Sequence, residues 1–222
     1  MTILYVFMNN RFSAGETEGW IMEEITLFYA TTNKAKLHNM YYRLRNHPVK
    51  ILCPDDLNIH IDVDENGKTA VENALLKAAA YFQAVKMPTI AGDSGMNIQG
   101  LPQEEQPGLY VRRVNGKILT DDEMIDYYSG LAGRAGKDCI LNYFTGIALI
   151  TGKGTFTKVL KEVPLRLSPV PNTNRKHNGN PLDVISLLED GRYFNDLSDE
   201  ERTALDEAGE AEFTNWIVSN LF

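Results

Sequence analysis

The sequence lacks the features that mark several large classes of protein. It has no apolar run that approaches the ~20 residues needed to cross a membrane. Its net charge of −8 leaves no basic stripe of the kind that binds nucleic acid. We therefore expect neither a membrane protein nor a nucleic-acid-binding protein. The composition is still compatible with a small polyphosphate ligand, provided that lysines and a divalent cation lie close together at its binding site.

Cysteine and histidine are also scarce. The two cysteines, Cys53 and Cys139, each stand in an apolar run, which favours buried free thiols in a reducing cytoplasm over a disulfide. The four histidines show no zinc-ligand spacing together with the cysteines. We expect a cytoplasmic protein without a structural zinc site.

The composition that remains is that of one globular domain. The 222 residues are 43% hydrophobic and 23% charged, which suits a single domain or a domain in two lobes. Residues 1–24 begin apolar but lack the basic start and the full apolar stretch of a signal peptide. We expect them to form an N-terminal extension, and residues 25–222 to form one domain.

Strand-like and helix-like segments alternate along the chain, and adjacent strands follow in its second half. The pattern predicts strands over 25–32, 49–52, 89–91, 139–151 and 156–167, and helices over 34–45, 69–86, 120–131 and from Ser198 onward. Capping boxes are predicted at Thr120 with Glu123 and at Ser198 with Glu201. The predicted fold class is α/β, with a mixed central sheet flanked by helices.

The segment 89–100, "TIAGDSGMNIQG", places one acid between glycines after a short apolar strand. Residues 92–95 have the composition of an ordinary turn, and this interpretation is favoured when the segment is taken alone. The alternative is that Asp93 is held at a strand end as a general base or metal ligand.

Two further segments carry polar residues in a pattern suited to a polyphosphate. In 30–37, "ATTNKAKL", a strand runs through a turn into a helix that carries Lys36, and free N–H groups at a helix start bind phosphate. In 71–78, "VENALLKA", Glu72 and Lys77 stand beside an apolar helix face. Each segment alone also fits a plain strand–helix junction or a solvated helix face.

Taken in order, these segments resemble the inosine triphosphatase family, which hydrolyses non-standard purine nucleoside triphosphates. The matching residues are Thr31, Asn33 and Lys36, then Glu72, Asn73, Ala74, Lys77 and Ala78, then "GDSGM" at 92–96, and "PGLYVRR" at 107–113. The resemblance is good over residues 25–116 and faint beyond them.

The resemblance implies hydrolysis of a nucleoside triphosphate to the monophosphate and pyrophosphate, with Mg²⁺ as cofactor, in sanitation of the nucleotide pool. It also implies two lobes around a cleft and a homodimer. In its terms Asp93 is the general base, and Glu72 and Asp93 are the metal ligands. The substrate-binding residues that it implies are Thr31, Asn33, Lys36, Lys77, Ser94, Gly95 and Asp183.

The chain departs from the family pattern chiefly at the base-binding end. Gly92 replaces the first of two acids, and Thr32 stands where a glycine is usual. Asn180 and Leu182 replace two aromatics, one of which stacks on the base. Asp206, Glu207 and Ala208 occupy the place of the Ser-His-Arg motif that reads the purine 6-oxo group. We therefore expect altered base specificity, with inosine triphosphate not strongly preferred over ATP.

The sequence leaves two alternatives open here. Asp206 or Glu207 would accept a hydrogen bond from an amino group if either faces the pocket; otherwise another segment, such as 172–178, reads the base.

A second possible function is a catalytically weak nucleotide-binding or interaction protein on the same scaffold. Retention of Glu72 and Asp93 together with both lysines favours the enzyme.

Overall fold

The computed structural model describes residues 23–136, 139–177 and 179–222. The predicted N-terminal extension therefore lies outside the described residues up to position 22, and so does Asn178 of the segment 172–178. Within the described ranges, no helix combines the length and the apolar character that a membrane crossing requires.

Nine strands and six α-helices make up the described part of the chain. The strands are β1 (Ile25–Tyr29), β2 (Val49–Leu52), β3 (Thr89–Gln99), β4 (Arg113–Val114), β5 (Lys117–Ile118), β6 (Ile140–Thr151), β7 (Gly154–Lys161), β8 (Leu165–Leu167) and β9 (Ser186–Leu187). The helices are α1 (Lys34–Leu44), α2 (Pro54–Leu57), α3 (Ala70–Val85), α4 (Asp121–Ala135), α5 (Asp199–Ala204) and α6 (Glu207–Leu221).

The main sheet is mixed, as the sequence predicts. Its order is β2-β1-β3-β6-β8-β9, with β7 also paired to β6. The β1 strand pairs in parallel with β2 and with the start of β3, whereas β6 runs antiparallel to β3, β7 and β8. The β1–β3 ladder stops at Tyr29↔Ile90, while β3 continues beside β6 as far as Gln99. The carboxyl end of β1 therefore lies next to the middle of β3.

The prediction of a turn at residues 92–95 is wrong. These residues continue β3, because β6 pairs with them in register at Gly92↔Ile147 and Asp93↔Gly146. A long antiparallel partner satisfies the backbone hydrogen bonds that a turn would otherwise leave to solvent. Asp93 is consequently held inside a strand rather than at its end.

Two other predicted elements are divided in the structure. The segment 156–167 is not one strand, because β7 ends at Lys161 and Pro164, which cannot donate a ladder hydrogen bond, precedes β8. The helix that begins at Ser198 ends at Ala204, and α6 starts anew with Asp206 as its N-cap. The capping boxes predicted at Thr120 and Ser198 are both confirmed.

Helix α3 covers one face of the sheet at close range. Its Ala74 and Ala78 pack with Ala91 of β3 and Ala148 of β6 in one core cluster. A Cβ atom on Gly146 would lie 2.3 Å from the backbone of the first turn of α3. Small residues at these positions are what allow the helix to approach the sheet.

The opposite face carries two separate apolar clusters on the same strands. On β3, Ile90 belongs to the cluster that α1 and α6 cover, and Met96 belongs to the cluster that α4 covers. Because side chains alternate along a strand, Ser94 lies on this face between them, and its hydroxyl bonds that of Thr145 on β6 at 2.9 Å. We call this polar strip between the two clusters the polar seam.

The contact between Gly146 and α3 yields a test of the fold. We expect Gly146→Ala to lower the free energy of unfolding by ~1–3 kcal/mol, because the new methyl group overlaps helix backbone that cannot move independently. Gly152→Ala is the matched control, since no atom lies within 4 Å of a Cβ there. Denaturant titration of both variants checks the prediction, and equal losses in the two would contradict it.

Candidate active site

The turn between β1 and α1 is built by its own side chains. The Asn33 side-chain oxygen accepts a hydrogen bond from the Lys36 backbone N–H at 3.1 Å, which makes Asn33 the N-cap of α1. The Thr31 hydroxyl accepts from the Asn33 N–H at 3.2 Å. The first turn of α1 contains no acidic residue, so no side chain there neutralises the positive end of the helix dipole that its N–H groups form. This is a suitable place for a phosphate group.

Lys36 occupies the centre of a group of charges. Its ammonium donates to the Gly92 carbonyl at 3.3 Å. Burial, followed by the positive charge of Lys77, lowers the pKa of Lys36. The negative charges that act in the opposite direction are those of Asp93, Glu162 and Glu65. The two predicted phosphate-binding lysines and Asp93 therefore converge on one place.

The Asp93 carboxylate is half-buried and held by two donors. The Asn73 side-chain amide donates to Oδ2 at 2.9 Å, and the Ser94 backbone N–H donates to Oδ1 at 3.0 Å. Asn73 is itself fixed, because it is buried and accepts from the Gly67 N–H at 2.8 Å. A carboxylate has about four acceptor positions, so about two remain for water or a cation.

Lys77 and Glu72 project from α3 and have partners of their own. The Lys77 ammonium pairs with the Glu65 carboxylate at 2.6 Å. The exposed Glu72 carboxylate accepts from the Lys68 N–H at 2.5 Å. Sequence reasoning missed Glu65, because it lies in the loop before α3 and no local spacing relates it to Lys77.

The donor set suits a cation that arrives with phosphate rather than one held entirely by the protein. Among the described residues, no three His, Cys, Asp or Glu side chains come together as a metal cage. Glu72 and Asp93 are linked through Asn73, which follows Glu72 in α3 and touches Asp93. Mg²⁺ is commonly held by one or two carboxylates together with substrate phosphates.

Two predicted substrate-binding residues next to Asp93 make tight contacts with the protein. Ser94 points to the polar seam, on the face opposite to Asp93. A Cβ on Gly95 would lie 2.4 Å from the Phe144 ring and 2.6 Å from the Gly108 carbonyl oxygen. Close packing therefore accounts for glycine at position 95, and its contact with substrate stays a prediction.

Asp183 is buried in the short helical turn Pro181–Ile185. Its carboxylate accepts from the Asn180 amide at 2.7 Å and from the Arg202 guanidinium at 3.3 Å. Burial raises the pKa of Asp183 to about 6, although the charge of Arg202 acts to lower it. Direct contact of Asp183 with substrate stays a prediction.

The loop before this turn reaches the start of α1. Gly179 has a φ of +102°, and a Cβ there would lie 3.3 Å from the Ala35 backbone nitrogen and from the Asn33 side-chain oxygen. Only glycine combines this φ with so close an approach. The structure thus brings the distant "GNPLD" segment against the predicted phosphate loop.

The residues at the altered base-recognition positions are engaged elsewhere. Leu182 is completely buried, and Asn180 holds Asp183. The Asp206 carboxylate caps α6 by accepting from the Gly209 N–H at 3.0 Å, whereas Glu207 is exposed. In the alternative segment 172–178, the Asn172 amide is bound to side chains of the turn at 194–196.

Glu162 is a second residue that sequence reasoning missed. It follows β7, and its backbone N–H donates to the Tyr143 carbonyl at 3.3 Å. Its side chain is accessible to solvent, yet the surrounding protein partly removes water from the carboxyl and raises its pKa, and the charge of Asp183 adds to this effect. Strand alternation puts Glu162 on the same face as Leu160, but only the β6–β7 register shows what it faces.

Comparisons with known proteins identify the family of the chain. The sequence pattern of the Ham1 family matches residues 27–212. A "dITP/XTP pyrophosphatase" of Borrelia duttonii is 30% identical over 196 residues, which span 83% of this chain and 92% of that protein. One of Leptospira interrogans is 36% identical over 96 residues, but the match spans 43% of this chain and about half, 48%, of the relative.

Solved structures show the same fold. The Ham1 protein of Coxiella burnetii superposes with a TM-score of 0.69 at 23% identity, covering 88% of this chain and 99% of that one. The Staphylococcus aureus Ham1 protein gives a TM-score of 0.66 at 21% identity, with 88% and 99% covered.

Asp183 predicts a pH dependence of stability. Its pKa is about 6 in the folded protein against an ordinary value of 3.8, so the folded state binds this proton more tightly. The stability that the proton contributes is present below about pH 4 and is lost as the pH rises through about 6, a change of ~2–3 kcal/mol. Urea titrations of the wild type and Asp183→Asn between these pH values measure it. A difference between the two proteins that stays constant with pH would contradict the assignment.

Proposed function

The chain belongs to the Ham1 family, and on that premise we propose that it hydrolyses nucleoside triphosphates to the monophosphate and pyrophosphate. The observation that carries the proposal is the convergence of Lys36, Lys77 and Asp93 beside the end of β1. The family membership confirms the resemblance on which the sequence-based prediction rests. The names of the relatives, dITP/XTP pyrophosphatases, support this reaction.

The triphosphate would bind between the start of α1 and the two lysines. The free N–H groups of α1 and the Lys36 ammonium offer positive charge within one turn of helix. Lys77 is paired with Glu65, so a bound phosphate would take the place of that carboxylate beside the ammonium. Positive charge fixed here also stabilises the charge that develops on the departing pyrophosphate.

Asp93 would act as general base toward the attacking water. A carboxylate accepts a proton in its ionised form, and donors from Asn73 and from the backbone of Ser94 bind its two oxygens. They also fix its orientation while leaving acceptor positions unused. The carboxylate is thus prepared to take the water proton as the phosphorus–oxygen bond breaks.

We propose Mg²⁺ as the cofactor, held by Asp93 and Glu72 together with phosphate oxygens. The unused acceptor positions of the Asp93 carboxylate support this, since Mg²⁺ rarely uses a cage of protein ligands alone. When bound, the ion supplies charge neutralisation at the phosphates.

The setting of the reaction follows from the same family. We propose a role in clearing non-standard nucleotides, a location in the cytoplasm and a homodimeric state. Cys53 and Cys139, both buried and free, support a reducing compartment.

A catalytically weak binding protein is the second candidate, and Gly92 is the observation in its favour. A side chain at position 92 would point toward Ile147 and Thr145, on the face opposite to Asp93. The missing acid therefore leaves the surroundings of Asp93 intact, and the enzyme is the better supported proposal.

The role of Asp93 is tested by Asp93→Asn. We expect pyrophosphate release to fall by ~10²–10⁴, because the amide cannot accept the water proton. Asp126→Asn, which alters an exposed acid on α4, is the control and should keep full activity. The assay uses Mg²⁺ and a panel of triphosphates, with unfolding curves to verify the fold. Wild-type turnover by Asp93→Asn would exclude the general-base role.

The two lysines are tested in the same assay. Lys36→Ala and Lys77→Ala should each reduce kcat/KM roughly ten- to hundredfold, the range expected for losing a hydrogen bond between charged groups. Lys153→Ala changes an exposed lysine in the β6–β7 hairpin and should have no effect. Equal losses from all three would indicate a diffuse charge effect instead of a binding site.

A further inference from the structure

Glu162 lies at the outer end of the polar seam. The register Phe144↔Lys161 places it opposite Tyr143, and its N–H donates to the Tyr143 carbonyl. Directly opposed residues share a face of the sheet, so Glu162 shares a face with Tyr143. Tyr143 is two residues from Thr145 on β6 and therefore lies on the face that carries the seam. Thr145 itself is paired with Leu160 on β7, so Glu162 lies diagonally from Thr145, just beyond β7 and at the edge of the seam.

The position of Glu162 relative to Lys36 suits the two ends of a nucleotide. Neighbouring strands lie ~4.8 Å apart, so the backbone of Glu162 is ~10 Å from Met96, its counterpart on β3 across Tyr143. The Lys36 ammonium binds the carbonyl of Gly92, four residues away from Met96 along β3. The Glu162 carboxylate would repel a phosphate group placed beside it. A neutral base would meet no such repulsion, so the seam leads from the phosphates to the base.

The neighbouring cations already have partners, which leaves Glu162 available. Glu210 holds Arg43 through two hydrogen bonds of 2.8 and 2.7 Å, and Asp183 holds Arg202. Across the ranges 23–136, 139–177 and 179–222, no cationic side chain lies within 4.0 Å of the Glu162 carboxylate. This end of the site thus presents a free acceptor.

An ionised carboxylate accepts hydrogen bonds and cannot donate one. It forms a charge-assisted bond with an exocyclic amino group, whereas a 6-oxo group would set two acceptors against each other. We infer that Glu162 determines base specificity by accepting a hydrogen bond from the amino group of adenine or cytosine. The inference rests on the proposed function, since it concerns the base end of the same site.

A purely electrostatic role for Glu162 makes a different prediction. The charge of Lys36 acts on Glu162, so Glu162 would in that case only moderate the field at the phosphates. Such an effect would be the same for every triphosphate. Base recognition instead changes the ratio between nucleotides.

The experiment compares wild type with Glu162→Gln at about pH 8 and with Mg²⁺, measuring kcat/KM for ATP, CTP and ITP. The amide keeps the size of the side chain and adds a donor. We expect the wild type to use ATP or CTP at least as well as ITP, and the variant to lower the ATP:ITP ratio ~10-fold or more, as expected when a charge-assisted hydrogen bond is lost. Glu189→Gln, an exposed acid after β9, should leave the ratio unchanged.

A wild-type preference for ITP over ATP of ~10³ or more, which a donor-lined site would give, would overturn the inference. Equal changes for all nucleotides in Glu162→Gln would do the same. If no triphosphate is hydrolysed, the proposed function fails, and calorimetric binding of AMP and IMP decides the inference separately. Tighter binding of AMP than of IMP, lost in Glu162→Gln, would support it; equal binding, or no binding of AMP, would contradict it.

Discussion

The pairing of β3 with β6 is the constraint on which the rest of the structure depends. It runs without interruption from Thr89↔Ile150 to Gln99↔Ile140 and joins the parallel half of the sheet to the antiparallel half. Because successive side chains alternate, this one strand presents Asp93 to α3 and Ser94 to the polar seam. Glycine is needed where neighbours approach the pair, most clearly at Gly146 beneath α3. The candidate site is thus a consequence of how the core is assembled.

Charge is the second organising principle. A chain with a net charge of −8 has to concentrate positive charge to bind a polyphosphate, and Lys36, Lys77 and the start of α1 bring positive charge together in one place. Other cations near the site are held by acids, as Arg43 is by Glu210. The result is a polarised site, positive beside β1 and negative toward Glu162, that matches a nucleotide with its phosphates at one end.

Local patterns explain which parts of the fold were predictable. The capped starts of α4 and α5 and the apolar stripe of α3 involve residues within a few positions of one another, so the sequence displays them directly. The wrong predictions concern places where contacts between distant segments determine the secondary structure. Residues 92–95 read as a turn until β6 pairs with them, and the last helix divides at Asp206, which caps α6. Propensity is a weak guide wherever a tertiary partner supplies the hydrogen bonds.

The sequence by itself determined the order of the motifs, and with it the family and the candidates Asp93, Lys36 and Lys77, because each motif is a short run whose chemistry is local. Tertiary structure alone decided which other side chains join them. Glu65 reaches Lys77 from a loop, and Glu162 reaches the polar seam through the register of β7 on β6. Strand register and loop placement arise from contacts between residues far apart in the chain, and a shift of one residue would turn Glu162 to the other face of the sheet.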